Sequence, residues 1–296
     1  MRVEKINGIQ YYIIFFKLRT PLSDFYCERE NDIITLGAYN DGNEPVGLLV
    51  AATQKGLARI LFVNALPEYD EARGAMVTQL LNIVKGVCEL AEWRIISDSE
   101  NIDPNYKWAE KLLFSKQETE HIFRHKSTDR QKGLDFVEKF KPISERFFKL
   151  GYSVKSFAEL SESELLYIAN DPDNQFADFL QAKEFIYDEN RKLCKDKSFA
   201  CIKDGKVAAF AFVTELSRGK YIYDATCVAN DYKRSGIFIL VNNAVLESVF
   251  NSDYSFITFA VYDDNKEMLP VFEEFMMPII TSVRIQTNFI RPVEMT

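Results

Sequence analysis

Apolar residues recur with two different periods along this chain, and the periods separate strands from helices. Residues 33–39 (Ile-Ile-Thr-Leu-Gly-Ala-Tyr) are β-prone and are closed by Asn40-Asp41-Gly42-Asn43, which predicts a strand and a tight turn. Residues 46–52 and 58–63 predict a second and a third strand. Over residues 71–92 the apolar positions are Met76, Val77, Leu80, Leu81, Val84, Val87, Cys88 and Ala91, a helical spacing with a wide buried stripe. A strand at 93–97, a helix at 107–113 and an alternating strand at 118–125 follow.

The same order returns after about 165 residues. Strands at 198–203 and 207–216 flank the turn Asp204-Gly205, and a third strand covers 221–229. An apolar helix at 236–250, a strand at 256–262, a short helix at 266–275 and closing β structure at 279–290 complete this half. Helices on a mixed sheet make an α+β fold. A repeat this long means duplicated domains rather than a solenoid, and the expected division is 1–145 and 146–296. Residues 127–146 are charged and weakly periodic and read as the connection, with helical content over 134–148. Ser161 with Glu164 three residues on is a capping signal for the next helix, which Asp171-Pro172-Asp173-Asn174 ends.

Composition narrows the class. A length of 296 residues agrees with two domains, and 24 Phe with 14 Tyr predict aromatic cores. The apolar stretch 11–16 is too short to span a bilayer, and no small-residue cleavage site follows it. A buried strand or the start of a core helix is expected there, in a cytoplasmic protein without membrane association. The five cysteines (Cys27, Cys88, Cys194, Cys201, Cys227) are scattered and odd in number, which suits buried thiols in a reducing compartment. The formal net charge is −8; residues 151–296 hold 15 basic and 22 acidic side chains. An acidic half argues against nucleic-acid binding and is compatible with a cationic acceptor such as an amine.

Candidate chemistry concentrates at residues 227–240, where a strand end meets a helix start. Unbonded N–H groups at a helix N-terminus, with the positive end of its dipole, attract a diphosphate. Gly236 would let the backbone approach it, and Lys233 and Arg234 would add charge-assisted contacts. This segment resembles the GNAT N-acetyltransferase superfamily, whose pattern runs Val-x-Pro-x-Tyr and then Gln/Arg-x-x-Gly-x-Gly/Ala. Val228 to Gly236 is eight residues and Tyr232 to Gly236 is four, matching that spacing. Downstream, Asn265 to Phe272 is similar to the family's Asn-x-x-Ala-x-x-Leu-Tyr.

The resemblance implies two consecutive GNAT-like domains, acetyl-coenzyme A as co-substrate, no metal, and direct attack by the amine of a small-molecule or peptide acceptor. The coenzyme site it implies comprises Cys227, Val228, Lys233, Arg234, Ser235, Gly236, Ile237 and Phe238, with the N–H near Val228 polarising the thioester carbonyl. Three departures stand in this loop. Lys233 replaces Gln/Arg, Asn230 replaces Pro, and Phe238 replaces the small residue that keeps the phosphate cradle open. In the first half, Tyr69 to Gly74 is one residue too long, and Met76 stands in place of Gly/Ala. Asp70 and Glu71 there would repel a diphosphate, with Arg73 a partial offset. A structural or partner-facing role is expected for that half.

Amine acetylation needs a base for the attacking ammonium and an acid for the departing thiolate. Glu215 and Asp224 are the candidate bases, each against the alternative of a hairpin-end carboxylate. Tyr262 is the candidate acid, against the alternative of a core tyrosine, because Phe272 at the family's acid position has no proton to give. No histidine follows His125, so composition excludes cysteine–histidine catalysis by Cys227 within 146–296. His121 and His125 would share one strand face with Phe123 between them, and two ligands without a third make no metal site.

Three functions fit this reading. One is an N-acetyltransferase, and the second is a catalytically inactive tandem protein that binds acyl-coenzyme A or a protein. The third, aminoacyl transfer from tRNA, fits poorly with the short chain and its −8 charge.

Overall fold

A computed structural model describes residues 1–6, 33–54, 56–98, 103–173, 175–176, 186, 193–266 and 268–293. The stretch 11–16 and Cys27 lie outside them. The chain forms two compact units: Met1–Glu120 with Arg284–Thr296, and His121–Val283.

In the first unit, β1 (Arg2–Lys5), β2 (Ile33–Tyr39), β3 (Pro45–Gln54) and β4 (Leu57–Ala65) pair antiparallel in order. The helix α1 (Glu71–Val84) then carries the chain to β5 (Leu90–Asp98), which runs parallel to β4. α1 is shorter than the sequence pattern predicts. Lys85-Gly86 is a poor continuation for a helix, so Val87 turns out to solvent at 72% exposure while Ala91 joins β5. The strand β12 (Ser282–Pro292) lies antiparallel along β5, from Arg284↔Asp98 to Pro292↔Leu90. The C-terminal strand thus completes the N-terminal unit. Leu36, Leu49, Ile60, Met76, Val77, Leu80, Trp93 and Phe289 form its core, with Trp108 of α2 (Asn105–Lys111) at the edge.

The chain enters the second unit inside β6 (Ser115–Lys126). Helix α3 (Arg130–Lys149) follows and covers residue 145, where the sequence repeat divides the halves. Next come β7 (Tyr152–Ser156) and α4 (Glu162–Asn170), whose Ser161–Glu164 capping box is complete. Then β8 (Phe199–Lys203), β9 (Lys206–Ser217) and β10 (Lys220–Val228) form an antiparallel meander, with β7 on β8. Helix α5 (Phe238–Phe250) crosses to β11 (Phe256–Tyr262), parallel to β10, and α6 (Met268–Val271) follows. Strand order in this unit is β6-β11-β10-β9-β8-β7.

Both faces of this sheet are covered, which explains the unbroken apolar run Val207–Val213 in β9. Ala209, Ala211 and Val213 face the core containing α5 and α3, while Phe210 and Phe212 face the core containing Ile168 of α4. Small residues on one face leave room for two helices, and large ones on the other fill the space against Ile168 of α4 and Ile186. Among the described residues, no helix is long and apolar enough to cross a membrane.

Candidate functional site

β10 and β11 pair in parallel only from Lys220↔Phe256 to Tyr223↔Phe259. Both strands continue past that point without pairing to each other, and the sheet opens there as a fork. A register shift between Tyr223 and Ala225 makes Asp224 a bulge at the branch point. The bulge also exchanges faces: Tyr221 and Tyr223 pack in the core under α5, whereas Ala225 and Cys227 pack on the opposite face. Asp224 accepts a hydrogen bond from the Thr214 hydroxyl of β9. Since the Ala229 N–H bonds Ala208 O on the β9 side, strand alternation turns the Val228 and Thr226 N–H groups toward the open fork.

At the mouth of the fork, Asn230–Tyr232 is a 3-10 turn, and α5 begins only at Phe238. The helix therefore starts two residues later than Gly236, where the pattern places it. Arg234 (φ 66°) and Gly236 (φ 80°) are both left-handed, a conformation that costs a non-glycine residue and breaks the helix before it starts. Left-handed residues in a short loop build anion-binding concavities. The N–H groups of Arg234 and Gly236 have no acceptor among the described residues, and Ser235 Oγ accepts from the Ile237 N–H at 3.3 Å. Lys233, Arg234 and Ser235 are exposed. A Cβ on Gly236 would meet nothing within 4 Å, and Phe238 is half-buried.

The acid–base candidates are spread along the two strands. Glu215 pairs with Tyr221, outside the fork, and its Oε1 accepts the Gly219 N–H at 2.9 Å, tying the β9–β10 turn. Asp224 is at the branch point. Tyr262 ends β11 past the branch and is 47% exposed, so it is not a core residue. Asn265 Oδ1 accepts the Met268 N–H and caps α6. Phe272 is buried between Phe123 (5.1 Å) and Phe259 (5.4 Å).

No protein-family model matches the chain, and none of the curated proteins matches its sequence. Its backbone is similar to a tandem GNAT protein from the clavulanic acid biosynthesis pathway (TM-score 0.61, 12% identity, 100% of both chains). It is also similar to a GCN5-related N-acetyltransferase from Sphaerobacter thermophilus (TM-score 0.54, 8% identity, 88% of this chain and 81% of that one). A GNAT-family acetyltransferase from Colwellia psychrerythraea aligns over 98% of this chain and 99% of its own (TM-score 0.51, 12% identity). The chain has the tandem GNAT fold.

The two copies of the GNAT fold differ at the fork. In the first unit β4 and β5 also pair over four residues, from Leu57↔Leu90 to Ile60↔Trp93, and a 3-10 turn at Pro67–Tyr69 follows β4. Here, however, α1 begins after a single further residue, Asp70, so no loop remains. Its first turn turns Arg73 inward. The Arg73 guanidinium donates to Val63 O, Ala65 O, Asn64 Oδ1, Asn105 Oδ1 and Asp70 Oδ1, at 2.8–3.3 Å. Asn105 Nδ2 donates to Val63 O as well. Trp108 packs against Gly74, where a Cβ would come within 2.3 Å of its ring, and its Nε1 donates to Asp70 Oδ2. This fork is filled by the protein's own side chains.

Both histidines fall in the second unit, since it starts at His121. Composition therefore does not exclude a cysteine–histidine pair there, and the bonding partners of the rings decide the matter instead. His121 Nε2 lies 2.9 Å from Asp263 Oδ1. His125 is fully buried, and its Nδ1 donates to Ile279 O at 2.6 Å; Nε2 then accepts from the Tyr254 hydroxyl at 2.9 Å. Neither ring bonds a thiol among the described residues, and burial pushes the Cys194 and Cys201 thiols up to about 11 and about 12. No cluster of three metal-ligating side chains occurs among the described residues.

Burial pushes the pKa of His125 down, with Asp129 opposing and Lys132 reinforcing the shift. The unfolded chain then binds a proton near pH 6.5 that the folded one refuses. This contribution to stability is complete above that pH and is lost as the pH falls below it. The expected slope reaches at most about 1.4 kcal/mol per pH unit. Urea titrations at pH 7.5 and pH 5.5 check this, and a His125→Gln chain with the same acid slope would refute it.

Proposed function

We propose that the second unit binds an acyl-coenzyme A in the β10–β11 fork and transfers the acyl group to an amine. The observation that carries this reading is the contrast between the forks. One is filled by Arg73 and Asn105, and in the other no described side chain takes that place and N–H groups line the strand edge. In this reading the Lys233–Phe238 loop holds the diphosphate with its backbone donors, while Lys233 and Arg234 supply positive charge. An extended amide-containing arm pairs with the unpaired edge of β10, much as an added strand does. The thioester then reaches the branch point, with its carbonyl toward the Val228 N–H.

Asp224 is the base in this scheme, taking the proton of the attacking ammonium directly or through one water. The amine nitrogen bonds the carbonyl carbon and the C–S bond breaks with its electron pair on sulfur; Tyr262 of β11 protonates that thiolate, and the second proton shed by the nitrogen returns to the tyrosinate through water. The acceptor is a small amine or a peptide amine. Phe272, buried and without a proton, favours a second reading: a unit that binds acyl-coenzyme A without turning it over.

Titration of the chain with acetyl-coenzyme A, followed by thermal unfolding, tests the binding. Ligand at one hundred times its Kd is expected to add about 2.7 kcal/mol of stability. Arg234→Ala is expected to weaken binding about tenfold, through one lost charge-assisted contact. Absence of any shift at millimolar ligand sinks both readings, whereas binding without thiol release in the presence of amines selects the second.

A further inference from the structure

Asn242 sits on α5 four residues after its first residue, about 6 Å along the helix from the Lys233–Phe238 loop. Its Oδ1 accepts hydrogen bonds from the Tyr223 hydroxyl and, at 2.9 Å, from the Thr226 hydroxyl. Those two residues bracket the opening of the fork: Tyr223 is the last residue of β10 paired with β11, and Thr226 lies beyond, paired with Ala211 of β9 alone. Two donors on one oxygen fix the plane of the carboxamide. The Nδ2 group, with two N–H donors, has no acceptor among the described residues. A side-chain amide held at one end and unmatched at the other is preorganised for an outside acceptor.

We infer that Asn242 is a binding residue for the thiol arm of the coenzyme, its Nδ2 donating to an amide carbonyl of that arm. The inference rests on the coenzyme reading of the fork. Coenzyme A joins its diphosphate to its thiol through two amides, so an arm running from the loop to the branch point passes Asn242 with carbonyl oxygens to offer. Tyr223 and Thr226 are positioning residues that act through Asn242.

Calorimetric titration of the full chain with two probes tests this. Acetyl-coenzyme A carries nucleotide and arm; adenosine 3′,5′-bisphosphate carries the nucleotide alone. Asn242→Asp keeps an acceptor for both hydroxyls and removes the NH2 donor. It is expected to weaken acetyl-coenzyme A about tenfold and to leave the bisphosphate unchanged. Uncharged Asn242→Ala is expected to give the same split, and Tyr223→Phe a smaller loss on acetyl-coenzyme A only. Wild-type affinity of Asn242→Ala for acetyl-coenzyme A, or equal losses on both probes, would overturn the assignment. If the wild-type chain binds neither probe, the coenzyme reading itself fails, which is a different result from failure at Asn242.

Discussion

Arg73→Ala is expected to destabilise the first unit by about 3–4 kcal/mol, the range for removing one member of a buried hydrogen-bonded ion pair. The side chain is 9% exposed, and its departure leaves the carbonyls of Val63 and Ala65 without that donor. Asp70 would keep only Trp108 Nε1 and the distant Lys107, 3.8 Å away, as partners. Being about one-third exposed, Asp70 can recover some hydration, which is why the figure sits at the lower end of the range. Arg73→Lys is expected to lose nearly as much, because one ammonium cannot fork onto five acceptors. Chemical denaturation gives the size of the effect, and hydrogen exchange on β4 and α1 locates it. A loss under 1 kcal/mol for Arg73→Ala would mean that the network is no more than a surface ion pair.

The same residue shows where sequence reasoning ends. The strand–turn–helix repeat is legible because each half has the same periods in the same order, and the GNAT expectation comes from the resemblance of residues 228–240 and 265–272 to that family's motifs. Arg73 was visible as a cation beside Asp70 and Glu71, but its burial depended on α1 starting directly after Asp70, which no local pattern announces. Gly236 marks the second loop in the sequence, yet α5 starts two residues after it, with Arg234 in a left-handed conformation that no local pattern announces. Asp224 stands in the sequence as a candidate base level with Glu215; only the register of β10 against β9 separates the two by making Asp224 a bulge at a branch point. Asn242 gives no signal in the sequence, since the pair Asn242-Asn243 in an apolar helix reads only as two weak helix formers. The assignment of β12 to the first unit was likewise beyond local reading, because it is a pairing between residues nearly two hundred positions apart.

Asp224→Asn is expected to lower kcat for acyl transfer at least a hundredfold, about 2.7 kcal/mol of barrier, with the Kd for acetyl-coenzyme A unchanged. Asparagine is isosteric and can still accept the Thr214 hydroxyl, so the bulge and the fork are retained while the proton acceptor is lost. That split between kcat and Kd is what a base at the branch point requires, because deprotonation of the ammonium follows binding. Glu215→Gln is the matched control: Gln Oε1 still accepts the Gly219 N–H, and the residue lies outside the fork, so activity is expected to stay within a fewfold of wild type. Thiol release measured over a panel of amines reads both variants. If Glu215→Gln falls and Asp224→Asn does not, the base lies at the hairpin end and the acyl group must reach past the branch point. Raising the pH separates the remaining cases. An amine that arrives already neutral needs no base, so the deficit of Asp224→Asn is expected to shrink as the pH approaches the amine's own pKa.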